Sequence, residues 1–135
     1  MNNELQNKYV EYQQLNLQLQ QVQKQVVQLE QQVVELNVLK EGLNDIKKAK
    51  AGDEILTSLG NGLFVKTELK DNNQVLMNVG SKTVVTKTMD EAEKILTQQQ
   101  NELKSVMKEL KTELQQGVNK LNNLQQEISK LQSKN

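Results

Sequence analysis

The sequence predicts an α+β chain dominated by helix, a long antiparallel coiled coil interrupted by a central two-hairpin β insert. Three observations carry this prediction. Apolar residues recur at steps of three and four near both ends of the chain. Between the two series, residues 53–88 alternate with period two. Gly60, Gly62 and Gly80 punctuate the alternating region, and no proline occurs anywhere.

The first apolar series is Leu5, Tyr12, Leu15, Leu19, Val22, Val26, Leu29, Val33 and Leu36. That is the narrow seam of a coiled coil and not the broad stripe of a globular-domain helix. Gln, Leu, Glu and Lys dominate the stretch, all good helix formers. About 45 residues at 1.5 Å each make a helix of roughly 65–70 Å. The second series is Leu103, Val106, Leu110, Leu114, Leu121, Leu124, Ile128 and Leu131, with Val118 as a further seam position. Thr88 or Asp90 can cap this helix, and Glu91 and Glu93 suit the positive end of its dipole.

Neither helix can bury its seam alone. Equal lengths joined by a compact insert fold back antiparallel, which places Leu5 by Leu131, Tyr12 by Leu124, Leu19 by Val118, Val26 by Leu110 and Val33 by Leu103. The second seam reads as irregular near Gly117. Extra four-residue steps locally unwind a supercoil, and glycine weakens a helix interior, so a softer segment is expected there. Gln99 falls on a seam position.

The insert reads as four strands. Residues 54–59 form the first, Gly60-Asn61-Gly62 a tight turn through positive φ, and residues 63–69 the second. In that strand Leu63, Val65, Thr67 and Leu69 share one face, opposite Phe64, Lys66 and Glu68. Val75, Met77 and Val79 line a third strand, Gly80-Ser81-Lys82 turns, and residues 83–86 form a fourth. Two hairpins alone are marginal and leave strand edges unpaired. Their second faces carry Phe64, Leu76 and Val84. Pairing the edges with other subunits into a barrel would cover them. Ile55, Leu59, Leu63, Phe64, Val65, Val75, Met77, Val79, Val84 and Val85 are the expected oligomerisation residues. The organisation is therefore an N-terminal coiled-coil helix over 1–50, a β-hairpin oligomerisation insert over 51–88 and a C-terminal coiled-coil helix over 89–135, together one domain.

Composition narrows the function. The chain has no Cys and no His. Thiolate chemistry, the common zinc sites and histidine-dependent catalysis are therefore excluded. Asp and Glu are scattered along polar helix faces. The chain is read as not an enzyme, with no catalytic, metal or cofactor-binding residues and no cofactor. Charge is balanced at 17 Lys+Arg against 17 Asp+Glu, and every cation is Lys. Neither nucleic acid nor an anionic membrane is expected as a partner. No apolar run reaches the roughly 18–20 residues that cross a bilayer, and no signal peptide is visible. A cytoplasmic location is expected.

The segment Leu59-Gly60-Asn61-Gly62-Leu63-Phe64-Val65, with Asp71, Val75-Leu76-Met77-Asn78-Val79-Gly80, Val84-Val85 and Asp90-Glu91-Ala92, resembles the central region of the alpha-class prefoldin subunits of archaea. The resemblance covers residues 54–96 by motif and the whole chain by architecture. It implies a hexamer of two alpha-class and four beta-class subunits, joined by their hairpins into a barrel from which six coiled coils hang. It further implies an ATP-independent holdase that binds unfolded polypeptides at the coiled-coil tips and delivers them to a group II chaperonin. On that reading Leu5, Tyr9, Val10 and Tyr12 of one helix and Leu124, Ile128 and Leu131 of the other are the client-binding candidates. Coil ends fray, and tyrosine offers contact area at low entropic cost. The alternative is a structural coiled-coil scaffold or a filament-forming paralogue.

Overall fold

The computed structural model describes residues 3–134. Its elements run α1 (Asn3–Lys48), β1 (Glu54–Gly60), β2 (Leu63–Glu68), β3 (Gln74–Gly80), β4 (Thr83–Thr88) and α2 (Met89–Ser133). The chain divides into two compact units, Met1–Val33 with Glu102–Asn135, and Val34–Asn101. Each helix runs through both.

The first unit is antiparallel helix on helix. Leu5, Leu19, Val22, Val26 and Val33 of α1 are buried, as are Leu124 and Ile128 of α2. Ion pairs flank this seam: Lys8–Glu127 at 2.9 Å, Lys111–Glu30 at 3.4 Å and Lys120–Glu11 at 3.9 Å. Residue numbers rise along one helix as they fall along the other, as the antiparallel reading expects. Hydrogen bonding to Glu127 raises the Lys8 pKa above its ordinary value.

Two expectations about α2 are corrected here. Val106 and Val118 are exposed, at 47% and 40%. Met107 is half-buried and Gly117 buried in their stead. With these substitutions the α2 series from Gln100 becomes Leu103, Met107, Leu110, Leu114, Gly117, Leu121, Leu124, Ile128 and Leu131. Its steps alternate four and three without interruption, so the irregularity disappears. Leu19 meets Gly117 and not Val118. A Cβ at Gly117 would overlap the Leu19 side chain. This glycine is a point of close helix approach, not a soft segment.

In the second unit Met89, Ala92 and Leu96 form the buried apolar positions, and Gln100 is a buried polar one. Gln99 is exposed, so the polar seam residue is Gln100. Its amide donates to Asn37 Oδ1 at 2.6 Å, and Lys40 Nζ donates to its Oε1 at 3.5 Å. A satisfied polar group in a seam fixes pairing register at some cost in stability.

The cap of α2 is Thr88, whose hydroxyl accepts from the Glu91 backbone N–H at 3.1 Å. Asp90 instead accepts from Lys47 Nζ at 2.8 Å, tying the last turn of α1 to the first turn of α2. The Lys47 hydrogen bond, then its charge, lowers the Asp90 pKa below the ordinary 3.8. The same bond raises Lys47 above 10.5. A depressed carboxylate stabilises the fold above its unfolded pKa, and that contribution is lost as pH falls through the folded value. A raised lysine stabilises below its unfolded pKa, and that contribution is lost as pH rises through the folded value. The stability difference between parent and Asp90→Asn will therefore be steady at neutral pH and vanish in acid below 3.8. Thermal melts of both proteins across pH check this. High salt will shrink the difference, because both groups are exposed.

The hairpins are β1–β2 and β3–β4, two separate two-stranded antiparallel sheets. They are built alike. Each has a register shift before its turn, at Ser58/Gly60 and at Asn78/Gly80. In each the glycine N–H donates to the side chain two residues back, Gly60 to Ser58 Oγ at 3.2 Å and Gly80 to Asn78 Oδ1 at 2.9 Å. In each, both central turn residues have positive φ: Asn61 and Gly62 in the first, Ser81 and Lys82 in the second. Such turns match the twist of the flanking strands. The second achieves it without asparagine or glycine at its centre.

Candidate functional site

Two regions hold the residues singled out from the sequence. The first is the end of the helical unit that carries Asn3 and Ser133. Here Leu5, Leu124 and Ile128 are buried in the seam, at 5%, 4% and 4% exposure. Tyr9, Tyr12 and Leu131 are half-buried. The heptad places all six toward the helix pair. Tyr9 reaches its edge, where the phenol oxygen accepts from Gln132 Nε2. Val10 is different, being 46% exposed.

The second region is the hairpin pair. Cross-strand partners share a face, so Ile55 and Thr67 lie together with Thr57 and Val65, while Leu56, Lys66, Ser58 and Phe64 lie on the opposite face. In the second hairpin Val75, Met77, Val85 and Lys87 share one face, and Leu76, Thr86, Asn78 and Val84 the other. Ile55, Thr67, Val75, Met77, Val85 and Lys87 are half-buried. On the opposite faces Leu56, Phe64, Leu76 and Val84 are exposed, as are Leu59, Leu63, Val65 and Val79. Exposure of this many large apolar groups on so small an element marks an interaction surface. Leu56 was not among the residues expected to mediate assembly. The signal for it was present, since Leu56 alternates with Ile55 across the strand and pairs opposite Lys66.

Each strand pairs on one side only, leaving the N–H and C=O groups of its other edge without a strand partner among the described residues. The hydroxyls of Thr57 and Thr67 bond across the first hairpin at 2.7 Å. Asn72 Nδ2 donates to the Ala49 carbonyl at 2.8 Å, joining the connection between hairpins to the end of α1. The insert is thus locally tied, with its apolar faces and edges turned outward.

Among the described residues no group of His, Cys, Asp and Glu could hold a metal ion, and no helix is long and apolar enough to cross a membrane. The concavities are shallow and lie along helix surfaces, one of them lined by Lys104, Met107, Lys108 and Lys111.

Comparison with known proteins fits this arrangement. The family model described as prefoldin subunit matches residues 1–134. The chain is 29% identical over 136 residues to a prefoldin subunit alpha of Pyrococcus horikoshii, covering 98% of this chain and 92% of that one. It is 27% identical over 86 residues to a prefoldin subunit alpha of Thermofilum pendens, covering 64% of this chain and 67% of that one. Among solved structures it resembles filamentous PFD from Methanocaldococcus jannaschii with a TM-score of 0.74 and 18% identity, over 87% of this chain and 96% of that one. With helices flanking two β-hairpins, a family match along nearly its whole length and alpha-subunit relatives, the chain belongs to the prefoldin family as an alpha-class subunit.

Proposed function

We propose that this chain is a subunit of an ATP-independent holdase that captures unfolded polypeptides and passes them to a group II chaperonin. The observation that carries the proposal is the pair of hairpins with exposed apolar faces and unpaired edges. A chain with such an insert is incomplete by itself. Beta-class prefoldin subunits, in a hexamer of two alpha and four beta, would pair the edges and cover the faces. The name of the alpha-subunit relatives supports the same assembly.

Client capture would fall to the far end of the coil, at Leu5, Tyr9, Tyr12, Leu124, Ile128 and Leu131. Because these residues pack in the seam, fraying must open the last turns before they can meet a client. Such contacts are individually weak. Several coils acting on one client raise the effective concentration, which gives grip without a deep pocket and permits release without an energy source.

Light scattering of the chain alone and mixed with a beta-class subunit tests assembly. A discrete species of two copies with four of the partner supports the proposal, and a monomer indifferent to the partner overturns it. Deleting residues 1–12 and 124–135 will then abolish suppression of client aggregation while leaving the assembly mass corrected only for the deleted residues. Full protection by the truncated protein would refute tip capture. A filament of this chain alone is the second reading, favoured by the filamentous state of the Methanocaldococcus jannaschii relative. Long polymers without the partner would establish it.

A further inference from the structure

The outward flank of α1 in the helical unit carries an apolar stripe that the seam does not use. Val10, Leu17 and Val27 are exposed, at 46%, 63% and 52%. In the heptad whose seam is Leu5, Tyr12, Leu19, Val26 and Val33, they occupy the positions farthest from α2. Such positions on a solvated coil are ordinarily polar.

The surroundings of the stripe are unusual for what they lack. No charged residue lies between Glu11 and Lys24. The α1 acids and bases nearest this flank are drawn to the seam edges, Lys8 to Glu127, Glu11 to Lys120 and Glu30 to Lys111. Gln6, Gln13, Gln14, Gln20 and Gln21 surround Val10 and Leu17, all exposed. The exposed side of α2 in the same unit is charged instead, with Lys104, Lys108, Glu109 and Glu113.

Three kinds of occupant can be compared. A second copy of the helix would need two apolar residues per heptad to form a seam. This stripe offers one, with Gln13 and Gln20 at the alternate positions. A membrane surface would need a basic rim and a continuous apolar face, and neither is present. An extended, uncharged stretch of unfolded chain fits both features. Its side chains can rest on Val10 and Leu17, which lie about 10 Å apart on the helix. Three residues of an extended polyproline-like segment advance about 9 Å. Its unpaired backbone N–H and C=O groups find donors and acceptors in the glutamine amides, which accept any sequence and repel no charge.

Resting on the holdase reading, we infer that the α1 flank at Val10, Leu17 and Val27 is a client-binding strip for extended apolar segments of low charge, available without fraying of the coil. It would act before the seam residues open and would bias capture toward uncharged segments.

The test uses the full chain in its assembly, with guanidinium-unfolded citrate synthase diluted into it. A photo-crosslinking amino acid at position 17 will capture the unfolded protein and not the folded one. The same probe at position 113, on the charged α2 side, will capture at least several-fold less. The double variant Val10→Gln, Leu17→Gln will lower protection at least threefold at unchanged assembly mass and melting temperature, since glutamine is a good helix former. If that variant protects as well as the parent, the strip is not used and tip capture stands alone. Crosslinks between copies of the chain would mean self-association and overturn the inference. If the parent itself protects nothing, the holdase reading fails and the strip with it.

Discussion

The two helix glycines will respond to substitution in opposite ways. Gly42→Ala will stabilise the chain by about 1 kcal/mol, while Gly117→Leu will cost about 2 kcal/mol. Both residues sit inside long helices, where glycine is inferior to alanine by about 1 kcal/mol. Nothing lies within 4 Å of a Cβ built at Gly42, so alanine there recovers that intrinsic deficit. At Gly117 the added carbon would overlap the buried Leu19 side chain, meeting both its methyls and its branch carbon. The whole isobutyl group must leave its position, and the helices must separate or leucine must adopt a poor rotamer. Overpacking of this kind typically costs about 1–3 kcal/mol. Leu19→Ala alone will also destabilise, by roughly 2–5 kcal/mol, through lost burial and the void it leaves. Combined with Gly117→Leu it exchanges large for small across the same contact. The double variant will therefore be more stable than the two single costs predict, by about 1–2 kcal/mol of coupling. Urea denaturation of the four proteins measures this. Simple additivity would show that Leu19 and Gly117 do not pack together, and the seam through Gly117 would then be wrong.

That glycine also shows where the sequence stops being readable. The α1 seam is legible because each of its positions holds a Leu, Val or Tyr with polar neighbours on the inward side. In α2 two seam positions are disguised. Gly117 has no side chain to count, and Val118 next to it is the more apolar choice. Met107 stands beside Val106 with the same effect. Choosing the stronger hydrophobe at each point shifts the series by one residue and creates a false stutter. The same one-residue ambiguity led to Gln99 in place of Gln100, because both are glutamine and only contact with Asn37 distinguishes them.

The insert was more legible, since period-two alternation and Gly60-Asn61-Gly62 mark the first hairpin directly. Its second turn carries Ser81 and Lys82 at positive φ, which neither residue type signals. It was found through Gly80 and the flanking alternation. Whether Thr88 or Asp90 caps α2 could not be read from the chain, because both side chains can accept such a bond. The choice depends on Lys47, distant in sequence, which engages Asp90. The outward stripe of α1 was invisible for a different reason. A search for one seam assigns every apolar residue off it to the solvated face.

The largest effect is expected at the hairpins. Leu56→Lys combined with Leu76→Lys will dissolve the assembly while leaving the separate chain as stable as before. Leu56 and Leu76 are 66% and 75% exposed, so lysine at either position displaces little packing within the chain. Both sit on the faces opposite the half-buried ones, where Leu56 pairs with Lys66 and Leu76 with Thr86. In a barrel made from several subunits these faces or their edges become interior. Each lysine must then either lose its hydration or hold the neighbouring strand away. A buried unpaired charge costs several kcal/mol, and two such sites in one subunit will exceed about 4 kcal/mol, near a thousandfold in affinity. Circular dichroism will show the same helix content and melting for variant and parent chains measured alone. Light scattering with a beta-class partner will show the discrete assembly for the parent and separate chains for the variant. The paired measurements matter because the argument predicts opposite sensitivities, none for the chain and near-complete for the complex. An unaltered complex would mean that these faces stay exposed to solvent and that assembly runs through the strand edges alone. A variant chain that melts early would mean instead that Leu56 and Leu76 already support the chain's own fold.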